Sequence, residues 1–382
     1  MGNTTRTVSG PLRVGIVGWR GMVGSVLMDR MRAEDDFAGV EPLFLSTSQA
    51  GQPAPDVGQG PSVLRDANDA RAFDGLDVIL TCQGGGWTKA MYPAIRERGW
   101  AGHWIDAASA LRMTDEAVIV LDPLNRDVID RACERGTNTW VGGNCTVSLM
   151  LMGLGALFKR GWVEWMTSMT YQAASGAGAR HMRELVGQMR AIGDAAAAQL
   201  ADPATAALAL DRTVAEAVAA DGFPVANFGV PLAASVLPWI DSLRPDGATR
   251  EEWKGHVEAN KILGLDPAVP IDGICVRVGA MRSHAQALTI KLTRDVPLAD
   301  VEAVIAESTP WTTVVPNDQA ASLAQLTPAA VSGTLEVPVG RLRKLRMGPE
   351  YLTAFTVGDQ LLWGAAEPLR RILRILREHL GA

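Results

Sequence analysis

A predicted strand, a glycine-rich turn and a helix near the N-terminus constrain the fold of this chain more than any other feature. The segment reads Arg13-Val-Gly-Ile-Val-Gly-Trp-Arg-Gly-Met-Val-Gly24, and the helix is predicted to begin near Met22. Backbone amides at a helix start point outward at the positive end of the helix dipole, where they bind a pyrophosphate well. The spacing G-x-x-G-x-x-G differs from the G-x-G-x-x-G of the common dinucleotide fingerprint. The segment therefore predicts a dinucleotide site, with an ordinary strand-to-helix turn as the alternative.

The alternation of apolar strand, turn and helix continues as far as Gly142. Strands are predicted at 14–17, 42–45, 77–81, 103–106, 118–121 and 139–141, and helices at 22–31, 90–98 and 127–135. This alternation is typical of a parallel sheet wound by right-handed crossovers. We therefore expect an α/β fold in which residues 1–144 form a Rossmann-type dinucleotide-binding domain.

The pattern changes after Gly142, which predicts a second, α+β domain over residues 145–356. A long helix is predicted at Cys145–Lys159, followed by an alternating strand at 165–171 and an alanine-rich helical stretch through Leu210. Period-two patterning predicts strands at 274–278 and 287–292, and residues 298–307 are predicted as a helix. A last helix is predicted from Val357 to Leu380. Its apolar stripe is expected to pack on the first domain, which makes residues 357–382 a third segment.

Composition excludes several classes of protein. Lys and Arg total 36 against 42 Asp and Glu, so the net charge is −6 and the basic excess typical of nucleic-acid binding is missing. The longest apolar run, 147–158, is shorter than the ~20 residues that span a membrane. Residues 1–11 are polar and lack the apolar core of a secretory signal, so a cytoplasmic protein is expected. The four cysteines form no close pair, which predicts neither disulfides nor a metal site.

The end of the second predicted strand bears on the choice of coenzyme. NAD-binding proteins place an acidic residue there for the ribose hydroxyls, whereas this chain has Ser46-Thr47-Ser48. Hydroxyl groups donate hydrogen bonds to a 2′-phosphate that a carboxylate would repel, and Arg20 adds a positive charge nearby. We therefore expect NADP rather than NAD. The alternative is that these residues only begin the loop at 51–60.

One cysteine has the position of a nucleophile. Cys145 follows two glycines and Asn144 at the start of a predicted helix, where the dipole and free amides are expected to lower the thiol pKa below about 8.5. Cys82, Cys133 and Cys275 lie in predicted strands or helices and are interpreted as structural.

A thiolate beside a nicotinamide suggests aldehyde oxidation or acyl reduction through a thioester, and either reaction needs an acid–base group. Of the five histidines, His103 is in a predicted buried strand, and His181, His256 and His379 are in predicted helices. Only His284 stands in a predicted turn between two strands. It is therefore the candidate, with a solvated surface histidine as the alternative.

Several blocks resemble aspartate-semialdehyde dehydrogenase, in the form common in Gram-negative bacteria, over nearly the whole chain. They are Gly18-Trp-Arg-Gly-Met-Val-Gly-Ser25, Ile105-Asp-Ala-Ala-Ser109, Leu111-Arg112-Met113, Gly142-Gly-Asn-Cys-Thr-Val-Ser-Leu-Met150, Tyr171-Gln-Ala-Ala-Ser-Gly176, Arg250-Glu-Glu-Trp-Lys254, Cys275-Val-Arg277 through His284, and Gly358-Asp-Gln-Leu-Leu-Trp363. That family reduces L-aspartyl 4-phosphate with NADPH to L-aspartate 4-semialdehyde and phosphate, a step towards lysine, threonine, methionine and diaminopimelate. The resemblance implies this activity, NADP as cofactor and a homodimer built through the second domain.

The resemblance also implies roles for individual residues. Cys145 matches the nucleophile that forms the thioester, His284 the general acid–base residue, and Gln172 the residue that orients the substrate. Arg277 and Glu251 match the pair that binds the amino-acid end, because a guanidinium complements a carboxylate and a carboxylate complements an ammonium group.

Further matches concern the phosphate group and the coenzyme. Arg112 and Lys254 resemble the cations that bind the phosphate, and Asn144 resembles a residue that lines the same site. The matching coenzyme positions are Gly18, Arg20, Gly21, Met22, Val23, Thr47, Ser48, Gln83, Ser175, Gly176, Ala177, Gly178, Pro203 and Gln360. Relatives often carry glycine at position 177, so the added methyl of Ala177 is a departure that narrows the space for the coenzyme.

Two other functions fit part of the pattern. A related acyl-phosphate reductase, acting on N-acetylglutamyl phosphate or glyceraldehyde 3-phosphate, would keep the cysteine and the histidine, and the expected difference is the pair Glu251 and Arg277. A non-catalytic NADP-binding sensor would have no need of Cys145, Gln172 and His284 together.

Overall fold

The N-terminal part of the chain is built on a parallel sheet. The computed structural model describes residues 10–381. Its first sheet is 7-stranded and contains β1 (Leu12–Val17), β2 (Val40–Ser46), β3 (Arg65–Asp66), β4 (Val78–Thr81), β5 (His103–Asp106), β6 (Ala117–Val120) and β7 (Thr139–Gly142). The strands lie in the order β3-β2-β1-β4-β5-β7-β6, and the helices of this part are α1 (Met22–Ala33), α2 (Gly85–Glu97) and α3 (Asp122–Glu134). The predicted Rossmann-type architecture is confirmed.

The strand sequences explain this arrangement. β1 reads LRVGIV and is buried except at Arg13, and β4 reads VILT and is buried throughout. Nearly continuous apolar strands of this kind are typical of a parallel sheet that is covered on both faces. The chain order reverses between β1 and β4, so the crevice at their carboxyl ends is where this fold binds ligands.

A mixed sheet organises the second part of the chain. Its strands are β8 (Val163–Gln172), β9 (Val236–Leu237), β10 (Ile271–Asp272), β11 (Cys275–Val278), β12 (His284–Leu292), β13 (Thr312–Val314), β14 (Val337–Leu345) and β15 (Gly348–Gly358). The order is β13-β14-β15-β12-β8-β11-β9, with β10 paired to β8. The remaining helices are α4 (Cys145–Lys159), α5 (Ala179–Ala201), α6 (Ala207–Ala219), α7 (Arg250–Leu263), α8 (Leu298–Ala306), α9 (Gln319–Gln325), α10 (Pro328–Val331) and α11 (Glu367–Leu380). The predicted α+β class is confirmed.

α4 is buried between the two sheets. It reads CTVSLMLMGLGALFK, and nearly all of it is buried from Thr146 to Phe158. An apolar helix of this kind needs cover on every side. Its residues share one hydrophobic core with Ile119 of the first sheet and Leu288 of the second. The start of α4 is thereby held at the junction of the sheets. Within residues 10–381, every helix is too short or too polar to cross a lipid bilayer.

The alanine-rich stretch forms two helices rather than one. The prediction of helix throughout 195–209 is wrong, because α5 ends at Ala201 and α6 begins at Ala207. Asp202 is extended, with φ −106 and ψ 106, and it precedes Pro203. A proline ring disfavours the helical conformation of the residue before it, so the helix stops here.

The last helix begins later than predicted. Val357 belongs to β15, where it pairs with Ala285 of β12. The prediction of a helix from Val357 is wrong because this strand pairing overrides the local apolar pattern. A π-helical turn at Leu362–Ala366 leads into α11. α11 then packs against α1, α3, β5 and β7 of the first part of the chain.

A buried arginine joins α11 to the end of α1. Arg370 is 2% exposed and forms ion pairs with Asp36 at 2.9 Å and Glu34 at 3.0 Å. Its Nε lies 3.1 Å from Glu367 Oε2 on the same helix. Burial raises the pKa of Asp36 to about 6, although Arg370 and Arg374 act to lower it. The three carboxylates beside Arg370, those of Glu34, Asp36 and Glu367, therefore depend in part on its charge.

We predict that Arg370→Leu lowers the free energy of unfolding by about 3 kcal/mol, because the buried Asp36 then keeps only the more distant Arg374 as a cation and the buried Glu367 keeps only Arg30. Arg374→Leu is the matched control. The Arg374 side chain is 45% exposed and 3.9 Å from Asp36, and its loss should cost about 1 kcal/mol or less. Urea denaturation followed by circular dichroism measures both variants. Equal losses would contradict a structural role for the buried cluster.

Candidate active site

A cavity of about 880 Å³ lies at the carboxyl ends of β1, β2 and β4. Its walls include Gly18, Trp19, Arg20, Gly21, Ser46, Thr47, Ser48, Cys82 and Gln83. Gln83 Nε2 donates to Thr47 Oγ1 at 3.3 Å. Arg20 donates to Gln49 and lies over the Trp19 ring. The structure thus brings the residues predicted from the first glycine turn and from the end of the second strand into one place.

The glycine turn fits the pyrophosphate of a dinucleotide. Gly18 has φ +75, and a Cβ there would lie 2.6 Å from the Cys82 carbonyl carbon. A Cβ on Gly24 would lie 2.1 Å from the Gly18 oxygen. Gly21 is the N-cap of α1 and offers no side-chain hydrogen bond to the first amides of the helix. Those amides are available to an anionic group that approaches the turn.

A second cavity, of about 1090 Å³, lies between the two sheets. Its walls include Met22, Val23, Arg112, Asn144, Cys145, Gln172, Ser175, Gly176, Ala177, Gly178, Asp241, Glu251, Lys254, Arg277, Gln360 and Gly364. The predicted substrate residues and the remaining coenzyme residues therefore come together here, with one exception. Pro203 is exposed between α5 and α6 and lines neither cavity, so the structure does not bring it to the predicted coenzyme site.

Cys145 is the first residue of α4, and Asn144 caps that helix. The Asn144 side-chain oxygen accepts hydrogen bonds from the amides of Thr146 at 3.0 Å and Val147 at 3.2 Å. Gly364 lies directly against the cysteine, because a Cβ on Gly364 would lie 2.5 Å from Cys145 Cβ. The capped helix start and the π-helical turn together hold the thiol at the wall of the second cavity.

The thiol of Cys145 is less acidic than its helix position predicts. Burial, followed by the charge of the Glu251 carboxylate, raises the pKa of Cys145 to about 12. Arg112, Arg277 and Lys254 act to lower the same pKa. The prediction of a lowered pKa is wrong because the loss of water around the thiolate outweighs the helix dipole and these cations. At neutral pH the thiol is therefore protonated.

His284 is the first residue of β12 and not a turn residue at an edge. Its side chain is 0% exposed, because β8 and β15 flank β12 on both sides. The Ala173 amide donates to Nδ1 at 3.1 Å, so the neutral ring carries its proton on Nε2. Burial, followed by the charge of Arg277, lowers the pKa of His284 to about 3. The ring is therefore a neutral imidazole at physiological pH.

The Nε2–H group of His284 lies next to the turn at Ala174–Ala177, which lines the second cavity, whereas His284 itself is absent from the cavity wall. Among residues 10–381 this N–H group has no hydrogen-bond partner. A Cβ on Gly176 would lie 3.0 Å from Nε2, so the ring borders the turn at Ala174–Ala177 that lines the cavity. Gln360 fixes this turn from the other side, since it donates to Ser175 and accepts from the Ser283 amide at 2.7 Å.

Glu251 links several of the predicted substrate residues. It accepts hydrogen bonds from Lys254 Nζ at 2.9 Å and Asn144 Nδ2 at 3.0 Å. A third comes from Gln172 Nε2 at 3.2 Å. Burial raises the pKa of Glu251, but Lys254 and these hydrogen bonds outweigh burial and hold the pKa below its usual value. Glu251 is therefore an ionised carboxylate inside the protein.

Arg277 and Arg112 are buried cations with different partners. Arg277 is 6% exposed, and its Nη1 donates to the Ala173 oxygen at 2.9 Å. Within the described part of the chain Arg277 forms no ion pair. Burial lowers the pKa of Arg277, but a guanidinium stays charged at neutral pH. Arg112 in contrast pairs with Glu258 at 3.2 Å. Arg277 is therefore the cation whose charge an anionic ligand would neutralise.

Three residues at this site were not singled out from the sequence. Glu258 pairs with Arg112, Asp241 accepts from Lys254 at 3.0 Å, and Gly364 lies against the thiol. The spacing of positions 251, 254 and 258 places them on one face of α7, which is a signal that sequence reasoning can use. Asp241 and Gly364 come from segments that are distant in the sequence and have no such local signal.

The arrangement suits nucleophilic attack on an anionic acyl compound. A thiol, a carboxylate and an unpaired guanidinium line one cavity, and an imidazole N–H donor lies beside the turn that forms part of its wall. The carboxylate and the guanidinium complement the ammonium and carboxylate groups of an amino acid. The adjoining first cavity provides the place for a dinucleotide.

Two family models match the chain. The semialdehyde dehydrogenase NAD binding domain matches residues 13–132, and the semialdehyde dehydrogenase dimerisation domain matches residues 154–363. Among solved structures, aspartate semialdehyde dehydrogenase from Francisella tularensis is 44% identical with a TM-score of 0.91. The alignment covers 96% of this chain and 100% of that chain.

More distant structures share the fold. Aspartate semialdehyde dehydrogenase II from Vibrio cholerae, complexed with ASA, is 22% identical with a TM-score of 0.77 over 97% of this chain and 99% of that one. The enzyme from Candida albicans with NADP is 15% identical with a TM-score of 0.64, over 97% and 99% of the two chains. The family models and the similarity to the Francisella protein agree along the sequence. The chain therefore belongs to the aspartate-semialdehyde dehydrogenase family.

Proposed function

We propose that this protein catalyses the NADPH-dependent reductive dephosphorylation of L-aspartyl 4-phosphate to L-aspartate 4-semialdehyde and phosphate. The observation that carries the proposal is the cavity between the sheets, where Cys145 at the start of α4 lies among the oppositely charged Glu251 and Arg277. The 44% identity to a protein named aspartate semialdehyde dehydrogenase supports the same reaction. In the family this step leads to lysine, threonine, methionine and diaminopimelate.

The amino-acid end of the substrate binds between Arg277 and Glu251. The guanidinium of Arg277 has no carboxylate partner in the described chain, so the substrate α-carboxylate supplies the missing negative charge. The ionised Glu251 pairs with the α-ammonium group. Gln172 donates to Glu251 at 3.2 Å, and its neutral amide orients the substrate without changing the charge of the site.

The phosphate group binds to Arg112, Lys254 and Asn144, which line the same cavity. Arg112 and Lys254 supply positive charge to a leaving group that is strongly anionic, and Asn144 donates a neutral hydrogen bond. Such fixed donors stabilise the charge that develops as the phosphate departs.

Cys145 Sγ attacks the carbonyl carbon of the acyl phosphate, and the bond from that carbon to the phosphate oxygen breaks. The thiol proton leaves with the phosphate as hydrogen phosphate, so the thioester forms without a change in total charge. His284 Nε2–H has no partner in the described chain, and it donates to the carbonyl oxygen as negative charge develops there. The protonated resting thiol is consistent with this sequence of events.

Reduction of the thioester uses the same residues. NADPH, when bound, supplies the hydride for the carbonyl carbon. His284 protonates the oxygen as the thiohemiacetal forms on Cys145 and takes the same proton back as the aldehyde leaves. The departing Cys145 thiolate then takes up one proton from water, which is the proton that the overall reduction consumes. The cysteine is then free for the next substrate.

The coenzyme binds along the first cavity and reaches the second at the glycine turn. Gly18, Gly21, Met22 and Val23 face its pyrophosphate, and Arg20, Thr47 and Ser48 face its 2′-phosphate. Gln83, Ser175, Gly176, Ala177, Gly178 and Gln360 complete the binding site. The fit of the glycine turn to a pyrophosphate supports this placement, and the Candida albicans structure contains NADP.

We propose that the chain has three structural units, which are the dinucleotide-binding unit up to residue 144, a second unit that begins at residue 145 and includes all of β15, and the C-terminal segment after β15, and that the protein is a homodimer in the cytoplasm. The matched dimerisation domain supports assembly through the second unit. Apolar side chains on one face of the second sheet also support it, because Met169 is 37% exposed and Tyr171 is 38% exposed. We propose neither nucleic acid nor a membrane as a partner.

The two alternative functions are less favoured. N-acetylglutamyl phosphate and glyceraldehyde 3-phosphate have no ammonium group, so an enzyme that acts on either has no need of an ionised buried Glu251 in the cavity. A sensor without catalysis has no need of a thiol in a cavity wall with an unpartnered imidazole N–H beside it.

We predict that the purified protein forms NADPH from L-aspartate semialdehyde, phosphate and NADP, with a lower kcat/KM when NAD replaces NADP. Arg277→Lys keeps the charge but loses the guanidinium fork, so the KM for the semialdehyde should rise about tenfold. The absorbance of NADPH measures each rate. No activity, or equal turnover with glyceraldehyde 3-phosphate, would overturn the proposed function, and a preference for NAD would overturn the coenzyme assignment.

The lowered pKa of His284 predicts how stability depends on pH. Between the ordinary pKa of 6.5 and the folded pKa of about 3, the unfolded chain binds a proton that the folded protein excludes. The stabilisation from this group is therefore complete above pH 6.5 and is lost as the pH falls towards 3. His284→Gln keeps an acceptor for the Ala173 amide but does not titrate.

We predict that the free energy of unfolding falls less steeply below about pH 6 for His284→Gln than for the protein without the substitution. The difference between the two slopes should correspond to roughly one proton taken up on unfolding. Urea denaturation at a series of pH values gives both slopes. Comparing slopes removes any constant loss of packing caused by the substitution. Identical slopes would show that His284 is not held neutral by the fold.

A further inference from the structure

A buried carboxylate that no step of the proposed reaction uses lies beside the active site. Glu258, on α7, is 2% exposed. Its Oε2 accepts the Asn144 backbone N–H at 2.6 Å, and its Oε1 accepts Arg112 Nη1 at 3.2 Å. Glu258 is absent from the walls of the second cavity, whereas both of its partners line them. The carboxylate therefore acts on the site through other residues.

The first partner, Arg112, is held at both its ends by α7. Lys261 Nζ donates to the Arg112 backbone oxygen and to the Thr114 oxygen, each at 2.7 Å. Glu258 binds the guanidinium one helical turn earlier on the same helix. Two side chains of one helix thus fix both the backbone and the charged group of Arg112.

These contacts leave part of the Arg112 guanidinium free. Its Nε donates to the Gly142 oxygen at 2.7 Å, and Nη2 donates to the Ala107 oxygen at 3.3 Å. With the bond to Glu258, three of the five N–H groups of the guanidinium have partners inside the protein. The other two belong to a side chain that lines the cavity. Glu258 therefore determines which N–H groups remain for a ligand.

The second partner, the Asn144 amide, belongs to the helix cap that precedes Cys145. Asn144 is the N-cap of α4, so a fixed amide at this residue fixes the backbone that leads into the thiol. Ile262 of α7 supports the same connection, because a Cβ on Gly143 would lie 3.5 Å from Ile262 Cδ1. One carboxylate thus sets the position of the nucleophile relative to a phosphate-binding cation.

We propose that Glu258 is a positioning residue for the phosphate site, which acts through Arg112 and the Asn144 amide without touching the substrate. The inference rests on the proposed function, because the proposed function assigns the substrate phosphate to the cavity wall that contains Arg112. Both partners of Glu258 are donors, so two acceptor oxygens are needed at this position. A glutamine supplies only one acceptor, and its NH₂ group would face a second donor.

A role as a simple counter-charge makes the opposite prediction. If Glu258 only reduced the positive charge of Arg112, its neutralisation would strengthen phosphate binding by simple electrostatics. If it positions Arg112 and Asn144, its neutralisation weakens phosphate binding and slows the chemical step. The sign of the change in the KM for phosphate therefore separates the two roles.

The test measures NADPH formation by the whole chain in the direction of the reaction that consumes phosphate. The concentrations of L-aspartate semialdehyde, NADP and inorganic phosphate are varied in turn. For Glu258→Gln we expect the KM for phosphate to rise about tenfold or more and kcat to fall, with the KM for NADP unchanged. Glu258→Asp restores two acceptor oxygens and should recover part of the loss. If Glu258→Gln does not fold, the KM for phosphate of Glu258→Asp tests the inference in its place.

Glu184→Gln is the matched control, because Glu184 is another buried carboxylate that accepts backbone N–H groups, from Asn227 and Phe228. It should leave the KM for phosphate unchanged. An unchanged or lowered KM for phosphate in Glu258→Gln would overturn the inference, as would an equal rise in Glu184→Gln. If the protein without substitutions forms no NADPH from the three substrates, the proposed function is overturned instead.

Discussion

The hydrogen bonds that fix Asn144 at the start of α4 are the interactions on which the site depends. Asn144 caps this helix with its side-chain oxygen, donates its side-chain NH₂ to Glu251, and donates its backbone N–H to Glu258. Asn144 follows β7 of the first sheet, whereas both carboxylates belong to α7, which packs with the second part of the chain. The same contacts therefore join the two parts of the chain and place Cys145 between the dinucleotide cavity and the charged wall formed by α7 and β11.

The local charge of the site differs from that of the whole chain. The net charge is −6, yet Arg20, Arg112, Lys254 and Arg277 line the two cavities. The reactive groups themselves are neutral at physiological pH, since burial raises the pKa of Cys145 to about 12 and lowers that of His284 to about 3. The positive charge of the site thus comes from fixed cations that bind anionic ligands. The departing phosphate accepts the proton that the thiol loses.

Local sequence patterns predicted the elements that carry the site, but not their burial. The bounds of α4, Cys145–Lys159, follow from a long and mostly apolar run behind a capping asparagine. The burial of His284 does not follow from its neighbours in sequence, because it comes from strands β8 and β15 on either side of β12. The thiol pKa was mispredicted for the same reason: Gly364, far along the chain, covers Cys145. The break between α5 and α6 did have a local signal, the proline at position 203, but the high alanine content around it favoured the prediction of a continuous helix.

The central claim is that Cys145 carries the acyl group between two half-reactions, and single-turnover kinetics test it most directly. The protein is mixed with L-aspartate semialdehyde and NADP in the absence of phosphate, and NADPH formation and the mass of the Cys145 peptide are followed together. The account predicts a rapid burst of at most one NADPH per chain, with an aspartyl group added to Cys145, and no burst for Cys145→Ala. NADPH formation that needs phosphate from the first turnover, with no adduct on Cys145, would contradict it.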